Sequence, residues 1–419
     1  MGADPGTGDG GRDGGYPPGM DANASLLAEA EDLLPEAVRL RRTLHARPEL
    51  GLELPRTQEA VLDAIDGLGL EISTGDSLSS VTAVLDTGRP GSTVLLRGDM
   101  DALALSEATG LDYASTVDGV MHACGHDGHV AMLAGAAHLL RSHATDLSGR
   151  VVFMFQPGEE GHHGARFMIE EGVLEVAGPV DVAFAIHQTP NMSNRMVATR
   201  AGPVLASADV VTIDVLGRGG HASAPYQALD PIPIACEIVL AIQSMMTRKI
   251  NIFEPAVVTI AQITAGTTNN VIPERARIHG TIRAVSARTR QKVHEELQRL
   301  ADGITAAHDA TAKVRIDAGF PVTVNDATIA RWAQGVARGL VGTKKVVDMP
   351  TPMMGAEDFS YVLERVPGAM VFLGTCPEGQ RPERAAPLHS NRMVFDESAM
   401  STGIALYTAV ALARSAQAS

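Results

Sequence analysis

Four short apolar runs limit the architectures open to this chain. Residues 93–96, 151–155, 182–186 and 370–373 are almost continuously apolar and are bounded by Gly, Pro, Asp or His. Strands that read this way are buried on both faces, which happens inside a parallel or mixed sheet covered by helices on either side. Residues 81–85 read as a further strand, and residues 24–45, 57–68 and 130–140 place their apolar side chains at helical spacing. A kink is expected before Pro35, and the helix after Cys124 is expected to start at Asp127. The pattern predicts an α/β fold with a mixed, largely parallel sheet flanked by helices. Each run then leads into chemistry. Asp99 and Asp101 follow the first, Glu159 and Glu160 the second and His187 the third, while a loop carrying His389 follows the fourth. Ligands of open α/β sheets gather at the carboxyl edge of the strands, so four strand ends deliver acid or imidazole groups to one place.

Between residues 201 and 318 the texture changes. Val211, Ile213 and Val215 alternate with polar residues, as do Ile278 and Ile282, and Val314 and Ile316. Strands of this kind have one wet face. With helices near residues 231–247 and 293–304, the order is β-α-β-β-α-β, that of a ferredoxin-like unit. The domain reading is therefore a tail over 1–23, a first catalytic segment over 24–200, an inserted unit over 201–318 and a second catalytic segment over 319–419. In that second segment, helices are expected over 327–340, 356–363 and 400–413. Gly, Asp and Pro dominate the first 23 residues, which offer almost nothing to bury.

Charge and cysteine usage narrow the partners. A formal net charge of −15 and a pI near 5.4 repel phosphate backbones and anionic lipid, which argues against nucleic acid and membrane surfaces. No apolar run approaches the roughly 18 residues of a membrane span, and no basic-then-apolar leader opens the chain. Cys124, Cys236 and Cys376 are too few and too scattered for a disulfide framework, which suits a reducing cytoplasm.

Cys124 and His126 sit two apart on a glycine-containing turn, a spacing that lets both face one point. Such a pair alone is more often incidental. Joined by Glu159, Glu160, His187 and His389 at strand ends, it makes a donor set suited to a Zn²⁺-like cation. Five ligands exceed the needs of one tetrahedral ion with an open position, whereas two ions sharing a ligand use them all. Of the adjacent pair Glu159 and Glu160, one then ligates and the other acts as general base. Asp101 is expected beside the ligands, hydrogen-bonded to a ligand imidazole, with Asp99 the more ordinary strand-end residue. His122, His129, His162 and His163 stay outside the ligand set, the last two exposed. His221, on a glycine-rich loop after a strand, suits an oxyanion contact, and Asn270 with Arg283 suits a substrate carboxylate.

Residues 41–51, 97–103, 122–129, 156–161, 219–222, 270–273, 355–359 and 388–390 together resemble the dimetal aminoacylase and carboxypeptidase family. The similar branch holds hippurate hydrolases, indole-acetyl-amino-acid hydrolases and N-acyl-amino-acid amidohydrolases. The resemblance implies a zinc-peptidase-like catalytic domain with a ferredoxin-like lid that also makes a homodimer contact. It places two divalent metal ions, Zn, Mn, Ni or Co, on Cys124, His126, Glu160, His187 and His389, with Glu159 as base. It puts His221, Asn270 and Arg283 at the substrate and leaves open whether His221 serves its own or the partner's site. The expected reaction is hydrolysis of an N-acyl or N-aroyl amino acid. A dipeptidase or carboxypeptidase is the alternative, and a non-catalytic ligand-binding homologue a more distant one. Departures from the family pattern at Leu105, Gln188 and Tyr226 are expected to touch pocket lining and loop shape and to leave the metal donors alone.

Overall fold

The computed structural model describes residues 20–416. The expected tail lies outside the described residues up to position 19, and its last four residues begin the first helix. That helix, α1 (Met20–Ala46), contains Pro35 within one continuous element and buries Leu26, Ala30, Ala37 and Leu44. α2 (Pro55–Ile65) starts on a proline, where the missing N–H has no helical partner to lose. β1 (Glu71–Thr74), β2 (Val81–Asp86) and β3 (Thr93–Asp99) lead to α3 (His126–Ser142), β4 (Arg150–Gln156), α4 (Gly164–Glu170), β5 (Val182–Thr189), β6 (Val197–Thr199) and β7 (Gly202–Leu205). Next come β8 (Asp209–Leu216), β9 (Gly220–His221), α5 (Pro231–Lys249), β10 (Ala256–Ala265), β11 (Val271–Ile272), β12 (Arg275–Ala284), α6 (Ala287–Ala307) and β13 (Thr311–Ala318). The chain closes with β14 (Thr323–Asn325), α7 (Ala327–Val341), β15 (Val346–Asp348), α8 (Ser360–Leu363), β16 (Gly368–Gly374) and α9 (Met400–Ala416).

The larger sheet has the order β1-β2-β4-β3-β5-β16-β6-β15. Its four central strands, β4, β3, β5 and β16, are the four apolar runs. All are parallel, with Leu96 opposite Phe153 and Phe184, and Ile186 opposite Val371. Their side chains are buried on both faces, each contributing roughly 1.5–3 kcal/mol for a large aliphatic or aromatic group. One face packs against α1, α3, α7 and α9, and the other against α4 and α8. Because the four strands run the same way, their carboxyl ends lie on one edge. The sheet is mixed, since β2 pairs antiparallel with β1 and β4, and β6 with β16.

The second sheet has the order β10-β12-β8-β13, antiparallel throughout, with α5 and α6 over one face. In chain order its strands stand 2-3-1-4, a ferredoxin-like arrangement. Val211, Ile213, Val215, Ile278 and Ile282 are buried beneath the helices, whereas Val314 and Ile316 on the edge strand are half-buried. β7 and β14 pair where the chain leaves for this sheet and where it returns.

Three of the boundaries that differ from the sequence pattern lie at the carboxyl edge of the sheet or lead to it. β5 runs two residues past His187, so that imidazole projects from the strand itself. α3 starts at His126, one residue earlier than expected, behind the left-handed Gly125. The helix expected over 356–363 shrinks to α8, because Glu357 and Asp358 turn inward to meet Arg97.

Candidate metal centre

Arg97 on β3 sits at the floor of the carboxyl edge, 1% exposed. Its guanidinium donates to Gln156 Oε1 (2.9 Å), Asp99 Oδ2 (2.7 Å), Glu357 Oε1 (2.8 Å) and Asp358 Oδ1 (3.1 Å). One cation thus faces three buried carboxylates. Glu159 joins them, with a carboxyl oxygen within 4.8 Å of one each from Glu357 and Asp358. Burial, followed by the charges of Glu357 and Glu160, pushes the Glu159 carboxyl well above the usual range.

The Cys124–His126 turn is built on Gly125, whose φ of 83° favours glycine. His126 Nδ1 donates to the Asp101 carbonyl (2.9 Å), and its buried Nε2 has no hydrogen-bond partner. His187 Nδ1 donates to the Gln188 carbonyl (2.7 Å), which turns Nε2 toward Cys124 Sγ at 3.5 Å. His389 also has a positive φ, 66°, and is pinned by its N–H to the Ala123 carbonyl (2.8 Å). Its Nε2 lies 3.2 Å from Glu160 Oε1.

Candidate ligand atoms of Cys124, His126 and His187 all lie within 4.8 Å of one another, and so do those of Cys124, Glu160 and His389. The two triads share the sulfur and together use all five expected donors. This set fits divalent cations. The buried His126 Nε2 has no hydrogen-bond partner, and burial pushes the Cys124 thiol up to about 12, a cost that a cation would reverse.

The surrounding histidines divide cleanly. His129 donates from Nδ1 to Asp99 Oδ1 (2.5 Å) and accepts the Gln188 N–H at Nε2 (2.9 Å), so neither nitrogen is free. His122 is buried with both ring nitrogens unpaired, and burial lowers it to about 4. His162 is exposed, but His163 is half-buried and pairs with the Tyr361 hydroxyl (2.9 Å), contrary to expectation.

Asp101 serves the acidic turn as well as the imidazole. Its carboxylate accepts the Glu159 and Glu160 amides, both at 2.9 Å, while its backbone carbonyl holds the His126 ring. The side chain lies only within 3.5 Å of that imidazole. It therefore orients the acidic turn more directly than the ring.

The candidate residues of the inserted unit do not converge as expected. His221 is exposed on β9, opposite Val271, and the adjacent Asn270 carbonyl accepts the Ala222 N–H (3.1 Å). Arg283 instead donates to the Met354 carbonyl (3.4 Å). Eight residues of extended β12 separate Arg275, at the His221 end, from Arg283, about 26 Å at roughly 3.3 Å per residue. In one chain, Arg283 and Asn270 cannot grip the same carboxylate.

The sequence pattern assigns no site role to Asp99, Glu357, Asp358 or Gln188. Asp99 is fully buried between Arg97 and His129. Glu357 and Asp358 stand 260 and 261 residues beyond Arg97, and no periodicity marks them as buried partners. Gln188, expected to touch pocket lining and loop shape and to leave the metal donors alone, reaches the Cys124 carbonyl with its side chain (2.8 Å).

A parallel α/β core with thiolate, imidazole and carboxylate donors at its carboxyl edge, and a buried carboxyl beside them, defines a hydrolase of the metallopeptidase type. The chain belongs to peptidase family M20/M25/M40, whose family model matches residues 95–413. It is 36% identical to thermostable carboxypeptidase 2 of Saccharolobus solfataricus, over 94% of this chain and 99% of that one. It is 35% identical to the hippurate hydrolase of Campylobacter jejuni, over 93% and 99% of the two chains. Among solved structures it resembles the Bacillus subtilis YXEP protein, a dinuclear metal-binding peptidase, with a TM-score of 0.79 and 32% identity over 91% of this chain and 98% of that one. The chain is a metal-dependent amidohydrolase. Among the described residues, no helix is long and apolar enough to cross a membrane.

Proposed function

We propose that Cys124, His126, Glu160, His187 and His389 hold two divalent cations, with Cys124 common to both, and that the enzyme hydrolyses N-acyl or N-aroyl amino acids. The observation that carries this reading is the pair of donor triads meeting at one sulfur. When bound, the cations supply Lewis acidity toward an amide carbonyl and make water more acidic. Thiolate favours zinc, while imidazole and carboxylate also accept Mn²⁺, Ni²⁺ or Co²⁺.

Glu159 then takes a proton from the attacking water and delivers it to the departing nitrogen as the C–N bond breaks. A carboxylate and a free amino acid result. Asp101 holds the Glu159 and Glu160 amides and so aims both side chains. His221 donates to the oxyanion, and Asn270 and Arg283 bind the substrate. The separation along β12 supports a homodimer in which the partner subunit's His221 and Asn270 complete a site that Arg283 borders. Residues 24–200 and 319–419 form the catalytic part, and 201–318 the lid and dimer contact. Three free cysteines support a cytoplasmic location.

The 36% identity to a carboxypeptidase favours a second reading, cleavage of peptides by the same residues. Rates on N-acyl amino acids and on free dipeptides separate the two. Glu159→Gln tests the role of the base. It should lower kcat by roughly 10²–10⁴-fold, the usual contribution of a general base, with cation content unchanged. A kcat within about tenfold of the parent removes Glu159 from that role.

A further inference from the structure

Gln188 follows His187 on β5 and is 1% exposed. Every polar group it owns is engaged at the metal centre. Its backbone carbonyl accepts His187 Nδ1–H (2.7 Å), and its backbone N–H donates to His129 Nε2 (2.9 Å). The side-chain amide donates to the Cys124 carbonyl (2.8 Å) and accepts from the Thr375 hydroxyl (2.6 Å). A hydrogen-bonded chain therefore runs from Arg97 through Asp99, His129 and Gln188 to the turn that carries the sulfur.

The fit around this amide is close. A Cβ built on Gly125 would meet Gln188 Cδ at 2.8 Å and Cγ at 3.0 Å, so the turn closes directly over the glutamine. Fixing the Cys124 carbonyl fixes its peptide plane, and with it the direction in which Cβ and Sγ leave the backbone. The opposite side of the turn is held separately, by the His389 N–H on the Ala123 carbonyl (2.8 Å). Two consecutive carbonyls are thus tied to two different elements, Ala123 to the loop of His389 and Cys124 to β5. Only the tie to Cys124 is made by a side chain.

We propose that Gln188 is a positioning residue that aims the Cys124 sulfur between the two donor triads, and that it sets how tightly the thiolate side of the centre binds a divalent cation. Groups that orient ligands from behind in this way are worth 10- to 100-fold in metal affinity. The inference rests on the reading of Cys124 as a shared ligand. Glutamine suits the task because one amide offers a donor for the carbonyl and an acceptor for Thr375. Methionine fills the same space with neither, and glutamate keeps an acceptor for Thr375 but presents oxygen to oxygen at Cys124.

The test is a Co²⁺ titration of the metal-free full chain, read by the thiolate-to-cobalt charge-transfer absorption. Gln188→Met and Gln188→Glu should each weaken Co²⁺ binding by about 10- to 100-fold and alter the band, while circular dichroism stays that of the parent. A protein that merely lost packing would keep the band. Should either variant fail to fold, Thr375→Val frees the amide from its anchor and should weaken binding in the same direction by a smaller factor. Co²⁺ affinity within about twofold of the parent and an unchanged band in the folded variants overturn the proposal. Cys124→Ala distinguishes the underlying reading. Its band should vanish, and a band that survives shows that Cys124 is not a ligand and removes the proposal with it.

Discussion

Replacing Asp101 by asparagine changes one atom's chemistry at nearly constant shape. In the parent, Oδ1 and Oδ2 each accept a backbone amide at 2.9 Å, from Glu159 and Glu160 respectively. Asparagine keeps one acceptor and sets an N–H donor against the other amide. Asp101 is 1% exposed, so the conflict falls at a buried carboxylate. A hydrogen bond to a charged group contributes roughly 1.5–3 kcal/mol. If that loss appears as displacement of the Glu159 carboxyl from its working position, kcat falls by roughly 10- to 150-fold at 1.36 kcal/mol per decade. KM should move far less, since no substrate contact is removed. The assay is steady-state hydrolysis of an N-acyl amino acid with cation content measured on the same sample. Asp101→Ala, which strands both amides, should be worse than Asp101→Asn. A kcat within about twofold of the parent, with cations bound, would refute the claim that this carboxylate orients the acidic turn.

Two further outcomes follow from geometry away from the reacting groups. Gly125→Ala forces a side chain onto a φ of 83° and into the Gln188 amide, a left-handed cost of roughly 1–2 kcal/mol plus overpacking of roughly 1–3 kcal/mol; an unchanged urea midpoint would contradict it. In the second sheet, burial alone would raise the Asp209 carboxyl, but hydrogen bonds from His294 (2.8 Å) and Arg290 (2.9 Å) bring it down to about 2. Because this folded value lies below the unfolded one near 3.9, the contribution is full above about pH 4 and disappears as pH falls through 2, on the order of 2 kcal/mol. Asp209→Asn should lose that stability at pH 7 and flatten the acid limb of the urea midpoint; parallel acid limbs in the two proteins would contradict it.

The sequence by itself determined the class of fold and the place where chemistry gathers. Short continuous apolar runs bounded by Gly, Pro and Asp read as strands buried on both faces, and alternating runs as strands with one wet face, because side-chain direction along a strand has a period of two. Most of the donors could be read because they follow such a run or sit on a glycine turn, while His389 lies further out, in the loop beyond the fourth run. Tertiary structure decided what sequence distance conceals. Arg97 meets Glu357 and Asp358 across 260 residues, and those two carboxylates break the expected helix to reach it. Gln188 carries no local signal, since an amide's role depends on which carbonyl the fold sets beside it, here that of Cys124. The length of β12 likewise settled that Asn270 and Arg283 stand apart, although both belong to one short stretch of chain. Local patterns fix which faces are buried; only packing fixes which buried polar groups must satisfy one another.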